Sequence, residues 1–131
     1  MRRFNRGEHL FHQGDTDRGV HRILAGIVTV YRLTADGYRQ IEAFAGPGDY
    51  VSLCLSSTSP TSAEALSAVS TAFMSRRAFE TRLLEDTAFR AKVFAEIDRA
   101  TAEVRRQATQ LACRSASQRV ADFVIFMAHR F

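Results

Sequence analysis

The 131-residue sequence predicts an α+β fold in which an antiparallel β-sandwich or β-barrel is followed by one long C-terminal helix. Two observations lead to this prediction. Residues 4–74 consist of short apolar segments separated by turn residues about every eight to twelve positions, which is typical of an antiparallel sandwich or barrel. After them, Thr87–Arg114 contains neither Pro nor Gly and repeats apolar residues at helical spacing.

The first half of the chain divides into predicted strands and turns. The strands are Glu8–His12, Val20–Leu24, Ile27–Leu33, Tyr38–Phe44, Tyr50–Leu55, Ser62–Leu66 and Val69–Met74. The last two strands are expected to pair with each other. Asp36-Gly37 accepts the positive φ of a tight hairpin turn, so the strands on either side of it are predicted to be neighbours. Gly46–Asp49 is predicted to be another turn, and Gly26 marks a bulge or bend.

Helices are predicted from residue 75 onwards. Ser75 is expected to cap a short helix over Arg76–Leu84, and Asp86 to cap the long helix. A third helix is predicted to begin at Ser115, which forms a capping-box pattern with Gln118. Apolar residues occupy more than one side of this last helix. We interpret so much apolar surface as the sign of a missing partner, and expect the sequence to be part of a longer protein.

The long helix carries a heptad stripe of apolar residues. Its a and d positions are Val93, Ile97, Ala100, Val104, Gln107 and Leu111. Charged residues fall at the outer b and c positions. β-branched residues at a positions favour a coiled coil of two helices over one with more helices. We therefore expect these six residues to form the interface of a homodimer. The alternative is one wide apolar face packed inside a monomer, which is the common meaning of helical periodicity.

Composition excludes several classes of protein. No apolar run reaches the roughly 18 residues of a membrane span, and the basic start lacks the apolar region of a signal peptide, so a cytoplasmic location without membrane contact is expected. The net charge of +4 comes from scattered arginines, which is typical of a solvated surface. The two cysteines, Cys54 and Cys113, suggest neither a disulfide framework nor a metal site.

Catalytic and metal-ligating patterns are also missing from the sequence. It contains no P-loop, no GxSxG and no HExxH, and we predict no enzyme activity, no catalytic residue and no metal. His9 and His12 lie three positions apart on a predicted strand. The two-residue period of a strand sends them to opposite faces, so they are expected to be a poor chelating pair.

Several segments carry a family resemblance. They are Gly7–Asp15, the glycine-interrupted Val20–Val28, the hairpin Tyr31–Ile41, the Pro-Gly-Asp turn in Pro47–Val51, and Arg114–Ala121. Together they resemble the Crp/Fnr family of bacterial transcription regulators, and the Fnr/FixK branch in particular. The resemblance implies a sensor domain like the cyclic nucleotide-binding domain, which is an antiparallel β-roll of the jelly-roll type, also called a double-stranded β-helix.

The same resemblance implies a domain organisation. Residues 1–85 would be the sensor with its short helix, residues 86–114 the dimerisation helix, and residues 115–131 the hinge and first helix of a truncated winged helix-turn-helix domain. The full-length protein would bind DNA, but this chain alone would not. The alternative is a stand-alone β-roll that binds a small ligand such as a cyclic nucleotide or haem.

The candidate ligand pocket departs from members of the family that bind cyclic AMP. Those members have an acidic residue after the Gly-Asp turn and an arginine at the start of the next segment, and the two hold the ribose and the phosphate. Here no Glu follows the turn, and Thr61-Ser62-Ala63 stands in place of Arg-Ser-Ala. Cyclic AMP is therefore not expected as the effector. The pocket candidates are Gly48, Asp49, Ser52, Cys54, Thr61, Ser62 and Ala63.

The two cysteines are the residues that could ligate an iron–sulfur centre or haem. Two cysteines cannot supply the four thiolates of an iron–sulfur centre, so such a centre would need further cysteines upstream of this sequence. No cofactor is expected. The alternative is haem ligated by Cys54, as the carbon-monoxide-sensing branch of the family would imply, although a small buried thiol is the favoured interpretation of this residue.

Overall fold

The computed structural model describes residues 1–16, 19–53, 58–113 and 116–131, without the side chains of residues 107, 110–113, 116–119 and 122. Within these residues, eight strands form two four-stranded antiparallel sheets. The strands are β1 Arg2–Phe4, β2 His9–Phe11, β3 Val20–Ala25, β4 Val28–Leu33, β5 Arg39–Ala45, β6 Tyr50–Val51, β7 Ser62–Ala65 and β8 Val69–Met74. Their order is β1-β8-β3-β6 in one sheet and β2-β7-β4-β5 in the other. The predicted fold class is confirmed.

The helices are α1 Arg76–Glu85, α2 Thr87–Cys113 and α3 Ala116–Arg130. The Ser75 side chain accepts a hydrogen bond from the Ala78 N–H at 3.2 Å, and Asp86 accepts from the Phe89 N–H at 3.0 Å, so both predicted caps are confirmed. The predicted cap Ser115 lies outside the described residues. No described helix combines the length and apolar character that crossing a lipid bilayer requires.

The chain divides into two compact units, Met1–Val93 and Phe94–Phe131, and the described residues of the first unit form two hydrophobic clusters. The larger cluster fills the β-roll between the sheets and includes Phe11, Ile23 and Val28. The smaller cluster contains Val20 of β3 together with Phe79, Phe89 and Val93. It buries the apolar faces of α1 and of the start of α2 against the roll, because an amphipathic helix is stable only when its apolar side is covered.

The chain passes from one sheet to the other at Gly26. This residue has φ +90° and lies between β3 of the first sheet and β4 of the second, as the predicted bend requires. The predicted hairpin is also confirmed, because Leu33 pairs with Arg39 across a turn in which Gly37 has φ +84°. Local turn chemistry therefore determines both of these corners.

The predicted pairing of Ser62–Leu66 with Val69–Met74 is wrong. Strand β7 lies between β2 and β4, whereas β8 lies between β1 and β3 in the other sheet. The short connection does not form a hairpin turn because Ser67 accepts a hydrogen bond from the Ile27 N–H at 3.1 Å, which ties it to the Gly26 corner. The connection therefore crosses between the sheets.

Two strands differ from the sequence prediction in extent. Strand β1 was not predicted, because its three residues include two exposed arginines and show no clear alternation, yet Arg2 pairs with Thr71 of β8. Strand β6 was predicted to reach Leu55 but ends at Val51. The next residue, Ser52, has φ +71°, a left-handed conformation that does not continue a strand. Leu55 itself lies outside the described residues.

Candidate ligand site and dimerisation surface

The turn between β5 and β6 holds the first two predicted pocket residues. The Gly48 N–H donates to the Ile23 carbonyl at 2.9 Å, and the Ile23 N–H donates to the Asp49 carbonyl at 2.8 Å. The Asp49 carboxylate is buried and accepts from the Gly46 N–H at 2.8 Å. A buried carboxylate needs such donors, so one role of Asp49 is to stabilise the turn. The positive φ of Gly48, +92°, makes the turn possible.

The second group of predicted pocket residues opens β7. Ser62 is buried and its hydroxyl accepts from the Gln13 N–H at 2.8 Å. Ala63 is completely buried in the core of the β-roll. Thr61 is half-buried, and its carbonyl accepts from the Ser59 hydroxyl at 2.7 Å. Gly48 and Asp49 are thus hydrogen-bonded to Ile23 of β3, whereas Ser62 is hydrogen-bonded to the turn at Gln13. Ser52 is half-buried, and Cys54 lies outside the described residues.

His21 is a buried polar residue, whereas its place on the predicted second strand led us to expect a surface or sheet-face histidine. It is 2% exposed, lies among the rings of Phe4, Phe11 and Phe73, and forms a 3.0 Å hydrogen bond between Nδ1 and the Thr71 hydroxyl. Burial, with the nearby Arg2 charge as a smaller cause, lowers the pKa of the imidazole to about 4 from its ordinary value of 6.5. The sequence did contain a signal for this burial. Polar Arg22 stands between His21 and Ile23, and the two-residue period of a strand then puts His21 on the same inward face as Ile23.

We expect acid to destabilise the first unit through His21. Because the folded pKa of about 4 lies below the unfolded value of 6.5, the contribution of His21 is fully present above pH 6.5 and is lost as the pH falls towards 4. Between pH 7 and pH 5 the loss is about 2 kcal/mol. Chemical denaturation of the parent chain and of His21→Gln at both pH values measures this difference.

The variant isolates the contribution of His21 because Gln does not titrate. His9 also has a lowered pKa, caused by burial and by the neighbouring His12, and it adds the same pH dependence to both proteins. His21→Gln should therefore lose about 2 kcal/mol less than the parent between pH 7 and pH 5. Equal losses in the two proteins would show that His21 does not control acid stability.

The prediction that His9 and His12 point to opposite faces is wrong. Their rings stack at 4.4 Å between centroids, because β2 has a register irregularity between His9 and Phe11 and ends before His12. His9 Nε2 lies 2.7 Å from the Tyr31 hydroxyl and 3.7 Å from the Glu64 carboxylate. No group of three His, Cys, Asp or Glu is arranged to hold a metal ion in the part of the chain that the structure describes.

The predicted interface on α2 is exposed over part of its length. Ile97 is 42% exposed and Val104 is 61% exposed, and Ala100 between them is exposed as well. The neighbouring Phe94 is 59% exposed and enlarges this apolar surface. The side chains of Gln107 and Leu111 lie outside the described residues. We call Ile97, Ala100 and Val104 the seam.

Val93 is a correction to the predicted interface. It is 2% exposed and packs with Val20, Phe79 and Phe89 in the smaller hydrophobic cluster. Helical periodicity identified an apolar position correctly, but the position faces the protein's own β-roll. Val93 is therefore not available to a second chain.

Within the second unit, α3 packs on a different side of α2. Arg130 Nε lies 3.5 Å from a Glu103 carboxylate oxygen, and the Arg106 guanidinium lies 4.0 Å from the centre of the Phe126 ring. At about 100° per residue, Glu103 projects about 80° and Arg106 about 140° from the centre of the seam. The packing of α3 through these contacts thus leaves Ile97 and Val104 exposed.

Two facing antiparallel sheets followed by a capped helix define a known class of sensor domain. The family model described as the cyclic nucleotide-binding domain matches residues 1–86. The chain belongs to this family, in the Crp/Fnr group of transcription regulators. The match covers the whole β-roll and α1.

Relatives and solved structures agree with this assignment. The nitrogen fixation regulation protein FixK of Bradyrhizobium diazoefficiens is 30% identical over 122 residues, which cover 93% of this chain and 52% of that protein. The transcriptional activator Anr of Pseudomonas protegens is 26% identical over 132 residues, covering 99% and 54%. The structure of FixK2 from Bradyrhizobium japonicum has a TM-score of 0.90 at 26% identity, covering 99% of this chain and 66% of that one. The chain spans about half the length of the curated relatives it matches.

Proposed function

We propose that the chain is the sensor and dimerisation portion of a Crp/Fnr-type transcription regulator that binds DNA as a homodimer. The observation that carries the proposal is the exposed seam on α2, the helix that follows the sensor β-roll. Exposed apolar residues at heptad positions are stabilised by a second copy of the same helix. Such pairing would set the spacing of two DNA-binding domains on the half-sites of a two-fold operator.

The smaller hydrophobic cluster could transmit a change in the β-roll to the helix that carries the seam. Phe79 of α1 and Phe89 and Val93 of α2 pack together with Val20 of the β-roll. Ile97 follows Val93 by one helical turn. A change in the packing of the roll would therefore shift the start of α2 and alter how two seams meet, since packed elements move between discrete arrangements.

A regulatory role is supported over a catalytic one by the relatives, which are described as regulation and activator proteins. We assign the protein to the cytoplasm, where its DNA would lie. We propose that DNA is bound by the whole regulator, with residues 115–131 contributing to the DNA-binding domain. This chain alone is not expected to recognise an operator.

We also infer that the effector is not cyclic AMP. A bound phosphate in a partly buried pocket needs compensating positive charge, and the position at which an arginine would supply it is Thr61. The polar groups beside it have structural partners, because Ser62 accepts from Gln13 and Asp49 accepts from Gly46. The Thr61 side chain has only a neutral hydroxyl, which cannot compensate the charge of a phosphate.

Calorimetric titration with cyclic AMP tests this inference. The parent chain should give no saturable heat up to millimolar cyclic AMP, whereas Thr61→Arg restores a guanidinium and should bind measurably more tightly. Titration with haem, followed by its absorption spectrum, covers the other ligand. Saturable micromolar binding of either ligand by the parent would instead favour a stand-alone ligand-binding β-roll.

A further inference from the structure

We propose that the end of α3 is held on α2 by a latch of two side-chain pairs, Glu103 with Arg130 and Arg106 with Phe126, and that opening the latch releases α3 without separating two chains paired at the seam. The regulatory meaning of this release rests on the function proposed above. The latch itself is a property of one chain, since all of its residues belong to the second compact unit.

Helix α3 is held in place by few buried side chains. Of its described side chains, those of Phe126, Met127 and Arg130 are half-buried and the others are exposed. The exposed ones include large apolar residues such as Val124, which is 58% exposed. A helix is ordinarily fixed by burial of its apolar face, so the docking of α3 depends strongly on the contacts near its C-terminal end.

Glu103 is at the centre of a network of ion pairs. Its carboxylate lies 3.5 Å from Arg130 Nε and also accepts a hydrogen bond from Arg99, which donates a second hydrogen bond to Glu96 at 2.9 Å. The four side chains alternate in sign along the network. The Glu103 and Arg130 side chains are 19% and 16% exposed. A pair this far buried is screened less than a surface pair, and removing one partner leaves a partly desolvated charge.

The second pair of the latch lies one helical turn earlier on α3. The Arg106 guanidinium is 4.0 Å from the centre of the Phe126 ring, which is a cation–π distance. Arg106 is one turn from Glu103 on α2, so the two pairs are neighbours on both helices. Helix α3 has 15 residues and is about 22 Å long, and both pairs lie in its last turns. Contacts this far from the start of α3 oppose its rotation with a long lever arm.

The latch and the seam lie on different sides of α2. Glu103 and Arg106 both project away from the centre of the seam, so two chains can pair through the seam whether the latch is closed or open. Packed helices move between discrete arrangements, and the latch favours one arrangement of α3 on α2. In the whole regulator, a movement of α3 would carry the proposed DNA-binding domain with it.

Amide hydrogen exchange of α3, followed by NMR, tests the latch in the unaltered chain and in Glu103→Gln. Gln keeps the size and helix propensity of Glu but removes the charge. We expect the α3 amides to exchange about fivefold faster in this variant, which corresponds to the loss of one partly buried ion pair. Glu96→Gln is the matched control, because Glu96 pairs with the same Arg99 within α2 and lies one heptad before Glu103. It should leave the exchange of α3 unchanged.

Arg130→Gln extends the test to the other partner. If Glu103 and Arg130 act as one pair, the double variant should accelerate exchange by less than the product of the two single effects. Three results would overturn the latch. They are parent-like exchange of α3 in Glu103→Gln, equal acceleration in Glu96→Gln, and independent effects of the two latch substitutions.

Sedimentation velocity of the same variants separates the latch from the proposed function. Every variant should have the same mass in solution as the parent chain, since none of the changed residues belongs to the seam. A monomeric parent would contradict the proposed function, and the exchange measurements would still decide whether the latch exists. A Glu103→Gln variant that dissociates while the parent remains dimeric would show that Glu103 stabilises the interface between chains instead of the latch.

Discussion

Replacing Ile97 and Val104 together by Asp should convert a dimer of this chain into a monomer. In a two-fold dimer each substitution occurs twice, so four carboxylates would be brought into an apolar interface. Burying unpaired charges costs several kcal/mol, and we expect the dimer dissociation constant to rise by at least about 1,000-fold, or about 4 kcal/mol. Sedimentation velocity across a concentration series measures this change.

The helix also offers a matched control. Ala95 and Ala102 are exposed, are seven residues apart like Ile97 and Val104, and lie at the outer f positions of the same heptads. Ala95→Asp with Ala102→Asp adds the same charge to the same helix and should leave the dimer intact. The seam is refuted if the Ile97 and Val104 variant remains dimeric, or if the two double variants weaken the dimer equally.

Gly26→Ala should strongly destabilise the β-roll. Gly26 has φ +90°, and a Cβ atom there would lie 2.3 Å from the Ala68 carbonyl oxygen and 2.8 Å from Val69 Cγ2. The left-handed conformation costs roughly 1–2 kcal/mol for a residue with a side chain, and the overlap with backbone adds to it because the carbonyl belongs to the connection between the sheets. We expect a loss of at least about 3 kcal/mol in the free energy of unfolding.

Gly37→Ala separates the two causes of that loss. Gly37 has a similar φ of +84°, but a Cβ atom there would meet nothing within 4 Å. This variant should lose only the conformational part, about 1–2 kcal/mol, in urea denaturation. If the two variants are equally stable, the close approach of Gly26 to Ala68 does not constrain the fold.

Much of the β-roll could be predicted from sequence because its corners depend on local chemistry. The hairpin at Gly37, the turn at Gly48 and the cap at Ser75 each need residue types that few other conformations favour. Strand partners were harder to predict. Strands β7 and β8 are separated by only three residues, which suggests a hairpin, yet their pairing partners place them in different sheets.

The heptad pattern shows a second limit of sequence analysis. Val93 and Ile97 are both apolar and both fit the stripe, yet Val93 is 2% exposed and Ile97 is 42% exposed. An apolar side chain is stabilised equally well by its own domain or by a second chain, so periodicity cannot distinguish the two. The fold makes the distinction at Val93, because this residue packs with Val20, Phe79 and Phe89 inside the first unit.

For the candidate ligand residues, the sequence could not show the state of the polar atoms. The side-chain oxygens of Asp49 and Ser62 accept hydrogen bonds from the Gly46 and Gln13 N–H groups, and these partners depend on the folded turns.

Sedimentation equilibrium of the unaltered chain, in reducing buffer and at tens of micromolar, determines whether two copies pair. One chain has a mass of 14.7 kDa, and we expect a species of twice that mass. Reduction of Cys54 and Cys113 ensures that such a dimer does not depend on a disulfide. A single species with the mass of one chain across this concentration range would contradict the pairing of α2 helices and the proposed regulatory mechanism with it.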